Sequence, residues 1–249
     1  MKTLAFALLT FLQALHLQAQ TASSLIAEGD KLDSQQKSES ALKAYLQAEK
    51  LDADNATLLI KIAKQYGESM TDKRGDDDKK KAGEMALGYA QKAAKLAPKL
   101  SDAHLAVAIC YGRLLDLVSV RTRVEYSRLV HDFTQKAIDL DPKSDYAWHM
   151  LGRWNQGVAT MGSMTKGIVS LVYGGLPNAS LDKSKECFEK ALKIKDDRVS
   201  HHIELGRTLA FMGKKDEARK QIESGLNMPS KERDDPDTKD RGRETLKTL

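Results

Sequence analysis

Three Gly-Arg steps, Gly112-Arg113, Gly152-Arg153 and Gly206-Arg207, are the residues of this chain best suited to bind something. A guanidinium holds its N–H donors in a planar fork that matches a carboxylate or phosphate bidentately. Three of them on one surface would recognise an acidic protein or peptide, or the anionic head of an amphiphilic small ligand. Tyr146, His149, Gln156 and Glu204 fall close to two of the arginines and would shape selectivity. The same arginines also suit a structural role, pairing with acids on adjacent helices and holding the elements together. Both readings stand at the level of sequence.

Catalysis finds no comparable support. The chain has no GxxxxGKS phosphate loop, no GxSxG elbow, no HExxH and no GxGxxG after a strand. His201 and His202 are adjacent, so on a helix they point in different directions and make poor joint metal ligands. His104 and His149 have no serine or cysteine nucleophile placed beside them by sequence. Asp72 to Lys81, DKRGDDDKKK, reads as a solvated mixed-charge loop that lacks the glycine and glutamate offsets of a calcium-binding loop. The expectation is a non-enzymatic protein with no cofactor and no metal.

The elements that must position the arginines are helices. Trp148, Leu151, Gly152 and Asn155, followed by Phe188 and Ala191, form a tetratricopeptide-like pattern. Its frame is clearest where Gly29, Ala41, Tyr45 and Ala48 match Gly206, Ala218, Ile222 and Gly225. Small residues at these positions let two helix backbones approach while larger neighbours fill the grooves. The interval between the first two small positions widens in the second, third and fourth pairs: Ala63 to Ala86, Ala108 to Val130 and Gly152 to Ser184. These intervals imply insertions of about eleven, ten and twenty residues. Within the last, Ile168, Val169, Leu171, Val172 and Tyr173 make an apolar stretch ended by Gly174-Gly175 and Pro177. Spacing alone reads it as added core of the fourth repeat, or as a lid for an amphiphilic ligand such as a lipid. Trp148 is expected to be buried.

The resulting expectation is an all-α, tetratricopeptide-like right-handed superhelix of about five helix pairs, with insertions and a C-terminal capping helix. First helices of such an array line its concave side, and Arg153 and Arg207 share the repeat position that faces it; Arg113 lies one turn farther along its own helix. The function that follows is a repeat scaffold mediating protein–protein interaction through the concave face.

Composition agrees with a soluble helical array: of 249 residues 41% are hydrophobic and 30% charged, and the formal net charge is +5. The excess is mild and forms no concentrated basic face, so nucleic acid is not an expected partner. Residues 1–19 read as a signal peptide, with Lys2, the apolar run Leu4–Leu12 and a cleavage site near Leu17-Gln18-Ala19. The apolar run is too short to span a membrane, so the mature chain, a single repeat domain over 20–249, is expected to lack a transmembrane segment and to be periplasmic or secreted. Cys110 and Cys187 fit no zinc or thioredoxin spacing and are expected to be small buried thiols.

The run Leu151-Gly152-Arg153-Trp154-Asn155, the later Tyr173-Gly174-Gly175-Leu176-Pro177-Asn178-Ala179-Ser180 and the repeats around them resemble the regulator of microtubule dynamics protein family and its bacterial homologues. The resemblance runs roughly from the second repeat through the fifth. It implies a tetratricopeptide-like all-helical fold and a protein-interaction role, and its eukaryotic members are associated with microtubules. It supplies no catalytic residues.

Overall fold

The computed structural model describes residues 21–249, so the expected signal segment lies outside the described residues. The described residues are all-helical and pack as two compact units, one ending at Pro98 and the other Lys99–Leu249. The first unit holds α1 (residues 21–34), α2 (Ser38–Glu49), α3 (Ala56–Ser69) and α4 (Asp76–Leu96). The second holds α5 (Ser101–Leu114), α6 (Val120–Leu140), α7 (Asp145–Ala159), α8 (Ser163–Tyr173), α9 (Leu181–Ile194), α10 (Val199–Phe211), α11 (Lys215–Asn227) and α12 (Asp235–Leu246). The pairs are α3 with α4, α5 with α6, α7 with α9 and α10 with α11; α12 packs on α10 and α11.

Local chemistry sets the helix starts. Asn55, Ser119, Ser144 and Ser180 each accept a backbone N–H from the first turn of the following helix, which satisfies one of its orphan donors. Helix α4 starts inside the stretch read as a loop, a correction to the sequence reading. Asp76, Asp77 and Asp78 form its first turn, where the positive end of the helix dipole favours carboxylates, and Lys79 to Lys81 continue it.

Pair packing follows a size rule. Four residues after the small position of each second helix sits a fully buried side chain, successively Tyr45, Ala90, Thr134, Phe188 and Ile222. Where this residue is large, the facing residue of the first helix is glycine: Gly29 against Tyr45, Gly152 against Phe188 and Gly206 against Ile222. Where it is Ala90 or Thr134, the first helix carries Ala63 or Ala108. The interhelix space is thus filled once, from one side or the other, as close packing demands.

The three insertions have different outcomes. The second and third pairs absorb theirs by lengthening the second helix, giving α4 and α6 twenty-one residues each. The insertion of the fourth pair becomes the separate helix α8, which packs on α6. Added core is the wrong reading for this segment: Val169 is its one buried residue, and the neighbouring apolar side chains face water. Trp148 also departs from expectation. It is only partly buried, with its indole N–H donating to the Pro142 carbonyl at 2.9 Å and the Lys190 ammonium over its ring. The buried tryptophan is Trp154, which donates to the Ser127 carbonyl at 2.8 Å.

Candidate functional site

A polar seam runs between α7 and α10. On α7, Asp145, His149, Arg153 and Gln156 recur at three- and four-residue steps, and on α10 His201, Glu204 and Thr208 do the same, so the two sets face each other. Gln156 donates to the Thr208 hydroxyl at 2.9 Å and to the Glu204 backbone carbonyl at 3.3 Å. Thr208 meets Ser184 at 3.1 Å, and Ser184 donates to the Gly152 carbonyl at 2.9 Å. The seam therefore ties the fourth helix pair to the fifth.

Glu204 is its electrostatic centre. The carboxylate is fully buried and receives Arg153 at 3.2 Å, Arg207 at 2.7 Å and Arg241, from α12, at 3.4 Å. Burial alone would push its pKa up, but the three guanidiniums outweigh that and hold it below the usual glutamate value. The cluster combines three positive charges with one negative. Arg153 and Arg241 keep 43% and 38% of their side chains exposed, and the buried Nε–H of Arg207 has no acceptor among the described residues.

Above this cluster lies a histidine pair. His201 donates from Nε2 to Asp145 at 3.0 Å, and its Nδ1 faces the Nδ1 of His149 at 3.0 Å. One hydrogen between the two Nδ1 atoms satisfies both rings; with both imidazoles protonated, two N–H groups would point at each other. Arg198 reaches the same Asp145 oxygen at 2.6 Å, pairs with Glu232, and lies over Tyr146, whose ring stacks on His149. Burial is the first cause lowering the pKa of both histidines; a proton on His201 and the nearby Arg153, Arg198 and Arg241 add to it at His149, while Asp145 opposes it at His201. Asp145 itself is held at about 2: burial works upward, and His201 and Arg198 overcome it.

The sign of the pH effect follows. A histidine lowered by folding is neutral in the folded state and takes up a proton on unfolding below about pH 6.5, so its stabilisation is present above that pH and is lost as the pH falls toward the folded value. Between pH 7 and pH 5 the thermal midpoint is expected to fall. Each histidine that stays neutral contributes a slope of up to about 1.4 kcal/mol per pH unit below its unfolded value. His149→Phe keeps the ring stack and removes one titrating group, so its slope is expected to be roughly half as steep. Midpoints that are flat from pH 7 to 5 in the parent chain would contradict this arrangement.

The residues singled out in sequence thus divide. Arg153, Gln156, Glu204 and Arg207 come together; Tyr146 and His149 join them through the histidine pair; Arg113 is partly buried on α5, near enough to influence the Tyr146 hydroxyl. His149, Gln156 and Glu204 are buried, which corrects the expectation that they line a partner surface: their polar atoms are used within the seam. Sequence reasoning missed Arg241, Asp145 and Arg198, and considered His201 only beside His202, as a poor joint metal ligand. Arg241 precedes Gly242, so the Gly-Arg step there singles out Arg243, which pairs with Asp240 at 2.5 Å, and not Arg241. His201 was readable only as the residue three before Glu204. His202, its neighbour, turns the other way, toward Gln221 and the Asp196 carbonyl. Cys110 and Cys187 are free and buried, and burial pushes their thiols up to about 12 and about 11.

The family model for regulator of microtubule dynamics protein 1-3 matches residues 25–249. The chain belongs to this family. Regulator of microtubule dynamics protein 1 of Mus musculus is 23% identical over 193 residues, 77% of this chain and 63% of that protein. Regulator of microtubule dynamics protein 2 of Bos taurus is 20% identical over 185 residues, 74% of this chain and 45% of that protein. The chain therefore spans less than two thirds of the length of these relatives. Among solved structures, a thermophilic tetratricopeptide protein of Thermus thermophilus superimposes with a TM-score of 0.65 at 16% identity, over 90% of this chain and 98% of the other. MamA of Desulfovibrio magneticus gives 0.51 at 14% identity, over 84% and 94%. These likenesses carry the tetratricopeptide-like fold of this regulator of microtubule dynamics family member.

Proposed function

We propose that this protein is a non-enzymatic, exported scaffold, and that the first-helix face of its second unit binds an acidic protein or peptide. The observation that carries the reading is the charge imbalance around Glu204. Arginines from α7, α10 and α12 converge on one carboxylate, and two positive charges are left without a counter-charge within the cluster. A carboxylate from a partner would complete the set and meet the half-exposed forks of Arg153 and Arg241. Repeat scaffolds offer such extended surfaces, and the family and fold are those of repeat scaffolds. The export component rests on residues 1–19 alone.

A fluorescein-labelled hexaglutamate peptide titrated at two salt concentrations tests the site. Arg153→Lys and Arg241→Lys keep the charge but lose the fork, so each is expected to weaken binding several-fold with little change in melting. The double methionine variant at these positions is expected to weaken it at least ten-fold. Salt should weaken the parent complex and affect the double variant much less. Unchanged affinity in the double methionine variant would sink the site.

A further inference from the structure

Helix α8 gathers apolar side chains on a face turned to water. Of nine large hydrophobic side chains exposed among the described residues, four belong to this eleven-residue helix: Met164 at 80%, Ile168 at 49%, Leu171 at 88% and Val172 at 61% exposure. The other five are spread over four longer helices, as scattered surface hydrophobics are. Positions 164, 168, 171 and 172 fall on one helical face, and Val169 and Tyr173 turn from it toward the body.

The helix is held in place from its inner side. Arg128 of α6 donates to the carbonyls of Tyr173 and Gly175, so a cation grips the negative end of the α8 dipole. Gly174, at φ +74°, makes the turn that brings these carbonyls to it. At the other end the Lys166 ammonium donates to the Ala159 carbonyl at 2.8 Å. The apolar ridge is thereby presented on an anchored element.

Its charge pattern says what could cover it. No aspartate or glutamate occurs from Tyr146 to Leu181, and across 160–181 the one charged residue is Lys166, in a chain of which 30% is charged. A helix that serves only to face water would carry charge, as the first turns of α4 do. A second copy of the chain is a poor occupant: a stable interface needs about 800 Å² on each side, more than a four-residue convex ridge supplies. A bilayer needs no complementary shape, and one with anionic headgroups meets no carboxylate along this stretch. No helix among the described residues is long and apolar enough to cross a membrane, so the contact would lie in the interfacial plane.

We propose that α8 is a membrane-docking helix that lays Met164, Ile168, Leu171 and Val172 into the surface of an anionic bilayer. This surface is separate from the arginine cluster and does not depend on it.

Co-sedimentation of the full chain with vesicles of phosphatidylcholine containing 30% phosphatidylglycerol, against vesicles of phosphatidylcholine alone, tests the proposal. The parent chain is expected to bind the mixed vesicles at least five-fold more tightly. The variant Met164→Ser with Leu171→Ser is expected to lose at least ten-fold in that binding while melting like the parent, because both side chains face water. Leu171→Trp should shift its emission to the blue on the mixed vesicles. Parent-like vesicle affinity in the double serine variant would overturn the proposal. So would lipid-free self-association that the same variant abolishes, or a polypeptide partner that needs the ridge while vesicles do not bind.

Discussion

Replacing Gly152 by leucine is expected to destabilise the second unit by about 3 kcal/mol, the upper end of what overpacking a core costs. A Cβ at this position would stand 2.9 Å from two carbons of the Phe188 ring, and that ring is fully buried with His149 edge-on to it at 5.3 Å. Neither helix can yield locally, so α7 and α9 must separate. The test is a double-mutant cycle. Phe188→Ala alone should cost about 3–5 kcal/mol through the cavity it leaves, and the two changes together should cost clearly less than their sum. Strict additivity in urea unfolding would mean that the two positions do not share the space. Gly206→Ala provides an independent check. There the added carbon meets Ile222 at 2.5 Å and the Ala218 carbonyl at 2.9 Å, and a backbone atom cannot rotate away. That crowding should outweigh the gain of about 1 kcal/mol that alanine brings over glycine inside a helix.

Glu204→Gln is the second large effect. The substitution preserves size and removes the charge, so three guanidiniums confront one another around a neutral amide. Breaking a buried pair costs about 3–5 kcal/mol, and the partial hydration of Arg153 and Arg241 places this case near the lower figure. Arg153→Met should cost about 1 kcal/mol or less, since its side chain is 43% exposed and two other arginines remain on the carboxylate. A glutamate whose pKa is lowered by folding stabilises above its unfolded value of 4.5 and loses that contribution as the pH falls below it. The glutamine variant should therefore show a flatter acid limb below about pH 4.5 in thermal melts. A midpoint within about 1 °C of the parent at pH 7 would show that solvent already screens the cluster.

The two effects differ in kind. The glycine positions act through volume and belong to every pair that uses a large residue on its second helix. Glu204 acts through charge at one place, where three helices meet. A partner carboxylate placed by those arginines would inherit their positions, so the proposed binding and the stability of the seam are linked through the same side chains.

The repeat frame was determined by the sequence because its cause is local and periodic. Small residues recur where two adjacent helices touch, and capping serines and prolines mark the ends, so pairing and register could be read from spacing alone. Gly152 and Gly206 belong to this class, as does the family resemblance carried by Leu151 to Asn155. The fate of the charged side chains was decided only in the tertiary structure. Arg207 has Glu204 three residues before it on its own helix, a pair that spacing allows, but whether Arg153 faces a partner or a neighbour depends on what stands across from it, and Glu204 and Arg241 are brought there by helices remote in sequence from α7. The histidine pair is hidden for the same reason, since a contact between residues 149 and 201 has no signature in either local segment. Helix α8 was legible as apolar but not as exposed. Periodicity reports that a helix has an apolar face, whereas only the neighbouring elements decide whether anything covers it.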